Sequence, residues 1–257
     1  MSSLVDLIFF SDKRKKILTL LADGIKDVDE IKTALKGNAC AIMPQIKKLK
    51  DMDIILQEGN TYKLSDMGEI IVEKMLPLTE LLQVFEGNKD YWSKHDRSPI
   101  PPHLMKKIHM LGKCKLEEPD LDHLFEFPEN LKEMLSRTTK FRTFYSFFCP
   151  DCPKIQADCA KRGTKVDLIL DEKVYNRLKD DFGDEYRTLV ENNASIYIYR
   201  GEIKPSSFIV ADEFLILKLF GKEGEFDHRK IVSFNKSALE WGNEMTDYYM
   251  EHSEKII

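Results

Sequence analysis

Residues 38–65, NACAIMPQIKKLKDMDIILQEGNTYKLS, decide the fold of the first part of this chain. Apolar residues recur every three or four positions in the first half of the stretch, which predicts a helix over residues 39–51. Two short apolar segments, 54–57 and 61–64, follow on either side of a glycine-containing turn and predict a β-hairpin. Ser65 is a typical N-cap for a further helix. The apolar face of the first helix consists of Ile42, Ile46 and Leu49.

The residues on both sides of this stretch complete a winged helix-turn-helix. Upstream, two helices are predicted, one over residues 12–22 and one from about Val28. Downstream, a long helix runs to about Phe85 with a kink at Pro77. The order helix, helix, turn, helix, hairpin, helix predicts a DNA-binding domain over residues 1–76. A small α+β domain without DNA binding has the same order, so the surface of the third helix decides between the two.

The side of the third helix opposite its apolar face carries small and polar residues, as a helix in the major groove requires. Gln45 can pair with one adenine through two hydrogen bonds, and Lys47 and Lys48 are placed for phosphates. Lys63 adds a cation on the wing, whereas Glu58 at the wing tip opposes a phosphate contact there. Double-stranded operator DNA is therefore the predicted partner. The predicted DNA-binding residues are Asn38, Cys40, Ala41, Pro44, Gln45, Lys47, Lys48 and Lys63.

Composition limits the class of protein. The net charge is -5, and basic and acidic residues balance within residues 1–75, so DNA contacts must come from local clusters of charge. No apolar run is long enough to span a membrane, since Lys218 interrupts the run 214–220. The first ten residues lack the basic start of a signal peptide. We expect a cytoplasmic protein that does not bind membranes.

Residues 77–115 are predicted to form a helical connector and dimerisation region. The long helix continues its apolar spacing beyond the winged helix, at Leu78, Leu82 and Phe85, so another helix must cover these residues. A second copy of the chain would cover them in a homodimer. The alternative is that connector residues such as Tyr91, Trp92 and Leu104 cover them within one chain.

From about Leu116 onward, strand-like and helical segments alternate, which predicts an α/β domain over residues 116–257. The predicted helices are 128–136, 153–162, 172–181, 184–192 and 237–252. The predicted strands are 141–148, 165–170, 195–200, 207–211, 214–220 and 231–234. The predicted fold class is therefore α+β in the winged helix-turn-helix and α/β in the C-terminal part.

Four stretches resemble one family of archaeal regulators. They are AIMPQIKKL at 41–49, IVEK at 71–74, WSKHD at 92–96 and SALEWG at 237–242. Together they are similar to the methanogenesis-regulatory-protein (FilR) family, and residues 11–74 look like its ArsR-type winged helices. The resemblance implies transcriptional regulation and a C-terminal half of the FilR middle-domain type. It implies no particular ligand, and the effector is expected to be a small molecule that this half senses.

The strands around residues 207–220 also resemble phospholipase-D-like domains, whose chemistry requires a His-x-Lys motif followed by Asp. In this sequence Asp212 matches the Asp, but Pro205 stands at the His position and Ser207 at the Lys position. Proline cannot attack phosphorus and serine carries no positive charge, so the domain is expected to be catalytically inactive. The alternative is a phosphodiesterase-like enzyme with an N-terminal docking domain.

Two further features bear on sensing. The predicted effector-binding residues are Tyr145, Ser207 and Asp212, because they flank the aromatic strand 141–148 and the strand pair that follows. Cys149-Pro-Asp-Cys152 has the spacing of a zinc or redox pair, but no second pair accompanies it. We expect these two cysteines to be unreactive and dispensable for folding, with no metal or other cofactor. A regulator that senses thiols or metals through them is the alternative.

Overall fold

The computed structural model describes residues 3–120 and 127–257 and divides the chain into two units, Met1–Thr79 and Glu80–Ile257. We refer to them as the N-terminal and C-terminal units. Helix α5 starts in the first unit and ends in the second. The N-terminal unit contains α1 Leu4–Phe9, α2 Asp12–Ala22, β1 Lys26–Asp27, α3 Val28–Leu35, α4 Ala39–Lys50, β2 Ile55–Glu58, β3 Thr61–Leu64 and α5 Asp66–Glu86.

The N-terminal unit is a winged helix-turn-helix, as predicted. Its three strands are antiparallel in the order β1-β3-β2, and β2 and β3 form the wing. Side-chain caps set the helix starts: Asn38 accepts from Ala41 N at 3.0 Å, and Ser65 Oγ accepts from Gly68 N at 3.0 Å. The predicted apolar face of α4 is fully buried in the core of this unit. That core includes Ile17, Leu18, Ile31, Ile42, Ile46, Leu49, Ile54, Tyr62 and Val72.

Two elements of this unit are additions to the predicted order. Helix α1 has six residues, too few for an apolar period, and a capping box between Ser3 and Asp6 stabilises it. Strand β1 has two residues and exists only because it pairs with Thr61 and Tyr62 of β3. Both depend on contacts that a local pattern does not reveal.

The C-terminal unit contains one eight-stranded sheet between two layers of helices. Its strands lie in the order β11-β7-β6-β5-β8-β9-β10-β4, with β5, β6 and β7 parallel. Its strands are β4 Lys115–Glu117, β5 Lys140–Tyr145, β6 Lys165–Asp171, β7 Ser195–Tyr199, β8 Ser207–Ala211, β9 Leu215–Lys218, β10 Lys230–Ser233 and β11 Glu254–Lys255. Its helices after α5 are α6 Lys89–Lys94, α7 Pro102–Lys106, the 3-10 helix Ile108–Leu111, α8 Glu129–Ser136, α9 Cys152–Lys161, α10 Glu172–Asp181, α11 Gly183–Glu191 and α12 Lys236–Glu251.

Alternate residues of each strand face opposite sides of this sheet and create two cores. Phe141 and Tyr145 of β5 lie in the core covered by α8–α11, whereas Phe144 lies in the core covered by α12. The predicted α/β class is therefore confirmed. The short edge strands β4 and β11 were not predicted, because each is defined only by its pairing with a distant strand.

The structure differs from the predicted division at the connector. Residues 80–115 are part of the C-terminal unit, because their large side chains cover the sheet together with α12. Trp241 Nε1 donates to Leu104 O at 2.9 Å, and the Tyr249 hydroxyl donates to Pro99 O at 2.7 Å. Within the predicted helical connector, the short helix α7 and a separate 3-10 turn follow each other. These aromatic anchors require a partner far along the chain, which the local sequence does not indicate.

A buried ion pair joins two central strands. Arg142 of β5 and Asp167 of β6 lie side by side, with Arg142 Nε 3.1 Å from Asp167 Oδ2. Both residues are almost fully buried, at 4% and 2% exposure. Arg142 also donates to Asn243 Oδ1 at 3.0 Å and contacts Asp247, both on α12. The pair thus connects the parallel strands to the last helix.

No helix in the described part of the chain is long and apolar enough to cross a membrane.

Candidate DNA-binding surface and ligand cavity

Helix α4 exposes the face that the sequence predicts for DNA. Cys40, Pro44, Lys47 and Lys48 are exposed, and Ala41 is half-buried. Pro44 lies inside the helix as its sixth residue, where it removes the hydrogen bond that a backbone N–H would donate to the Cys40 carbonyl. Asn38 is different, because its side-chain oxygen caps α4 and is therefore already used. The exposed face presents two cations and little bulk, as close contact with a duplex requires.

Gln45, predicted to read a base, is hydrogen-bonded to Arg14. Its Oε1 accepts from Arg14 Nη1 at 2.7 Å, and Arg14 Nη2 donates to Asp6 O at 3.1 Å. Arg14 is buried and joins α1, α2 and α4, so its guanidinium is not available to a phosphate. A bidentate contact with adenine needs both the oxygen and the amide NH2 of glutamine. The bond from Arg14 occupies one of the two lone pairs of the Gln45 oxygen and orients the side chain, so base reading by Gln45 stays a prediction.

The wing supplies less positive charge than its composition indicates. Lys63 forms an ion pair with Glu58, and the hydrogen bond from this carboxylate raises the pKa of Lys63. Lys50, at the end of α4, donates a hydrogen bond to Gln57 of the same hairpin. Both side chains of the Lys63–Glu58 ion pair are solvent-accessible, and an exposed ion pair of this kind is weak enough for Lys63 to exchange Glu58 for another anion. A phosphate contact by Lys63 therefore requires Glu58 to be displaced.

Met43 belongs to the candidate surface although it was not predicted. It is 38% exposed and, with Pro44, Lys47, Lys50 and Gln57, lines a groove between α4 and the wing. It directly follows the buried Ile42 in the sequence. On the helix, however, it lies beside Pro44 and Lys47, where an apolar side chain can contact a thymine methyl group.

A second candidate site lies at the carboxyl end of β5. Tyr145 faces Ser207 across the sheet, Ser207 faces Lys218, and Lys230 follows on β10. The four residues line one cavity of about 60 Å³. The carboxyl ends of parallel strands are where α/β sheets bind ligands. The predicted effector residues Tyr145 and Ser207 are thus brought together.

Asp212 does not belong to this cavity. It lies after the opposite end of β8, where its carboxylate accepts from Thr139 N at 2.6 Å and from Thr139 Oγ1 at 2.8 Å. These bonds fix the turn before β5. Its match to the phospholipase-D-like pattern therefore marks a structural carboxylate rather than an effector contact.

Lys218 and Lys230 are the functional residues that sequence reasoning missed. Burial, together with the ammonium of Lys230, lowers the pKa of Lys218 to about 8. Burial also lowers the pKa of Lys230, whose Nζ lies 3.7 Å from Glu117 Oε2. The sequence signal for this site is Lys218, a lysine inside the otherwise apolar run 214–220, which also excludes a membrane span there.

Cys149 and Cys152 form a disulfide. The expectation that they are dispensable for folding stays a prediction. Both line the cavity, and Cys152 Sγ lies 3.3 Å from the Tyr145 hydroxyl. Cys159 is separate and buried, and this burial raises the pKa of its thiol. Within residues 3–120 and 127–257, no group of three or more His, Cys, Asp or Glu side chains could hold a metal ion.

Two solved structures share parts of this fold at low similarity. TrmBL2, an archaeal chromatin protein, is 13% identical with a TM-score of 0.44, and the alignment covers 98% of this chain and 97% of TrmBL2. Nuc, a phospholipase D family member from Salmonella typhimurium, is 16% identical with a TM-score of 0.39, over 56% of this chain and 98% of Nuc.

Sequence comparison gives the family. Methanogenesis regulatory protein FilR1 of Methanothrix harundinacea (strain 6Ac) is 27% identical over 252 residues, which are 96% of this chain and 56% of that protein. The chain therefore spans about half the length of this curated relative. The FilR1 N-terminal domain matches residues 3–86, and the FilR1 middle domain matches residues 124–252. The ArsR-type assignment stays a prediction. The chain belongs to the family of methanogenesis regulatory protein FilR1.

Proposed function

We propose that this chain is a transcriptional regulator that binds duplex DNA through the exposed face of α4 and senses a small molecule in its C-terminal unit. The observation that carries the proposal is the pair Lys47 and Lys48, exposed on the third helix of a winged helix-turn-helix. The family's name, methanogenesis regulatory protein, supports regulation. DNA binding fits the fold because a recognition helix is held on four other helices and a wing.

Repeated selection from a random duplex pool tests this function. The full chain is expected to enrich a sequence motif, because base-edge contacts add discrimination to the phosphate contacts. Recovery of duplexes with no common motif would contradict a sequence-specific regulator.

A phosphodiesterase is the weaker alternative. Pro205 and Ser207 stand where that chemistry needs a nucleophilic histidine and a lysine. Asp212, the remaining match, is engaged by Thr139. We therefore propose a non-catalytic role for the C-terminal unit.

We further propose that the protein acts as a homodimer through α5. Phe85 is covered within one chain, since its ring contacts Trp92 with centroids 5.6 Å apart. Leu78 and Leu82, one helical turn apart, are 43% and 45% exposed, so the connector does not cover them. A single winged helix buries only about 600–1,000 Å² on DNA, and this one is not strongly basic. Two copies would read two half-sites about one turn of the duplex apart.

Changing Leu78 and Leu82 together to glutamate is expected to convert the dimer into a monomer. The two new carboxylates would lie in the apolar contact between the paired α5 helices, where they lose water and gain no partner, so the dimer is destabilised. Sedimentation velocity at micromolar concentration measures the change. The matched control is Ile203→Glu, which places the same charge at another exposed apolar position of the chain and is expected to leave the dimer intact. A wild-type monomer that still binds its operator tightly would refute the dimer.

A further inference from the structure

Three polar side chains on successive strands converge in the cavity of the C-terminal unit. Ser207 on β8 pairs in register with Lys218 on β9, and Lys230 occupies the next place on β10. Ser207 is 3% exposed, and its hydroxyl has no hydrogen-bond partner among the described residues. One hydroxyl donor and two ammonium groups thus face the same small space.

The carboxylates around these lysines do not balance their charge. Lys230 has Glu117 at 3.7 Å, beyond hydrogen-bond distance. Lys218 has no ion-pair partner in the described ranges. Asp227, whose charge also acts on Lys218, is held by Arg229 at 2.7 Å and by His95 at 3.0 Å. Placing a cation away from water without a counter-charge is costly, and a lysine with a perturbed pKa in a cavity is a candidate ligand contact.

The remaining wall of the cavity is apolar. Lys218 Nζ lies 5.7 Å from the Phe147 ring centroid and 5.8 Å from that of Phe226. Ile209 and Ile216 close the floor on the neighbouring strands. The volume of about 60 Å³ suits a small molecule and is too small for a nucleotide.

We propose that this cavity binds a small organic acid, with its carboxylate on Lys218, Lys230 and Ser207 and its short apolar body against Phe147 and Phe226. The proposal rests on the proposed sensing function and names its ligand class. The acid supplies a counter-charge for the half-buried ammonium of Lys218, which has no ion-pair partner among the described residues, next to the buried Lys230–Glu117 pair. Its carbon chain is desolvated against the aromatic rings.

Two-dimensional amide NMR spectra of the full chain, titrated with butyrate, test the site. Butyrate is expected to shift amides of β8, β9 and β10 with saturation, whereas neutral butyramide of the same shape is not. Lys218→Met should weaken butyrate binding by about tenfold to a hundredfold, the loss of one charge-assisted bond. Lys222→Met, an exposed lysine four residues away, is the control and should bind butyrate like the wild type.

The folding of the Lys218 variant is not at risk, because methionine removes an unpaired buried charge. Its thermal midpoint without ligand is expected to equal or exceed that of the wild type. Equal responses to butyrate and butyramide, or unchanged binding in Lys218→Met, would overturn the proposal. Inorganic phosphate bound in preference to butyrate would overturn the organic-acid class.

A separate readout distinguishes the site from the proposed function. Operator affinity is measured with and without saturating butyrate. If butyrate binds through Lys218 but operator affinity is unchanged, the binding site stands and sensing by it is refuted. If the protein binds no DNA motif at all, the NMR result still decides the site.

Discussion

Asp167→Ala is expected to destabilise the C-terminal unit by about 3–5 kcal/mol, because it leaves the guanidinium of Arg142 buried without its strand partner. The two side chains are 4% and 2% exposed, and their N···O distance is 3.1 Å. The pair lies between two central parallel strands, where water cannot replace the lost carboxylate. Asp247 also contacts Arg142 from α12, but it is largely exposed and compensates only in part.

Urea unfolding followed by circular dichroism measures this loss. Asp181→Ala is a matched control, because Asp181 pairs with Arg177 at the same distance of 3.1 Å but on the surface. Exposed pairs contribute about 0–1 kcal/mol, so the control is expected to unfold nearly as the wild type does. If both variants lower the free energy of unfolding by the same amount, burial of the Arg142–Asp167 pair has no effect on stability and the prediction is wrong.

The second large effect concerns DNA. Changing Lys47 and Lys48 together to alanine is expected to reduce operator affinity by on the order of tenfold or more at physiological salt, and to reduce the salt slope by about two. Both side chains are exposed on α4 and outside the core, so folding should be unaffected. The matched control changes Lys154 and Lys161, two exposed lysines on α9. Fluorescence anisotropy over a series of salt concentrations gives both quantities, and an unchanged slope would contradict phosphate contacts from this face.

The winged helix-turn-helix could be predicted because its determinants are local. Ile42, Ile46 and Leu49 define one helical face within eight residues, and the hairpin follows directly. The bounds of α4 and the wing agree with the predictions to within one residue. The exposed face of α4 followed from the same helical period.

The remaining features depend on contacts between distant residues. Gln45 is oriented by a hydrogen bond from Arg14, 31 residues earlier. Lys218 and Lys230 become neighbours only through the register of β9 and β10. The connector residues join the C-terminal core because Trp241 lies on the last helix. Helical and strand periods carry no information about such pairings.

A cleavage reagent attached to Cys40 tests the central claim most directly. Cys40 is exposed on α4, whereas the other free cysteines, Cys114 and Cys159, are half-buried and buried. With these two changed to serine, an iron chelate on Cys40 is expected to cut the enriched duplex at two short sites about 10 base pairs apart. Cleavage spread evenly along the duplex, or no cleavage while the protein remains bound, would contradict DNA recognition by α4.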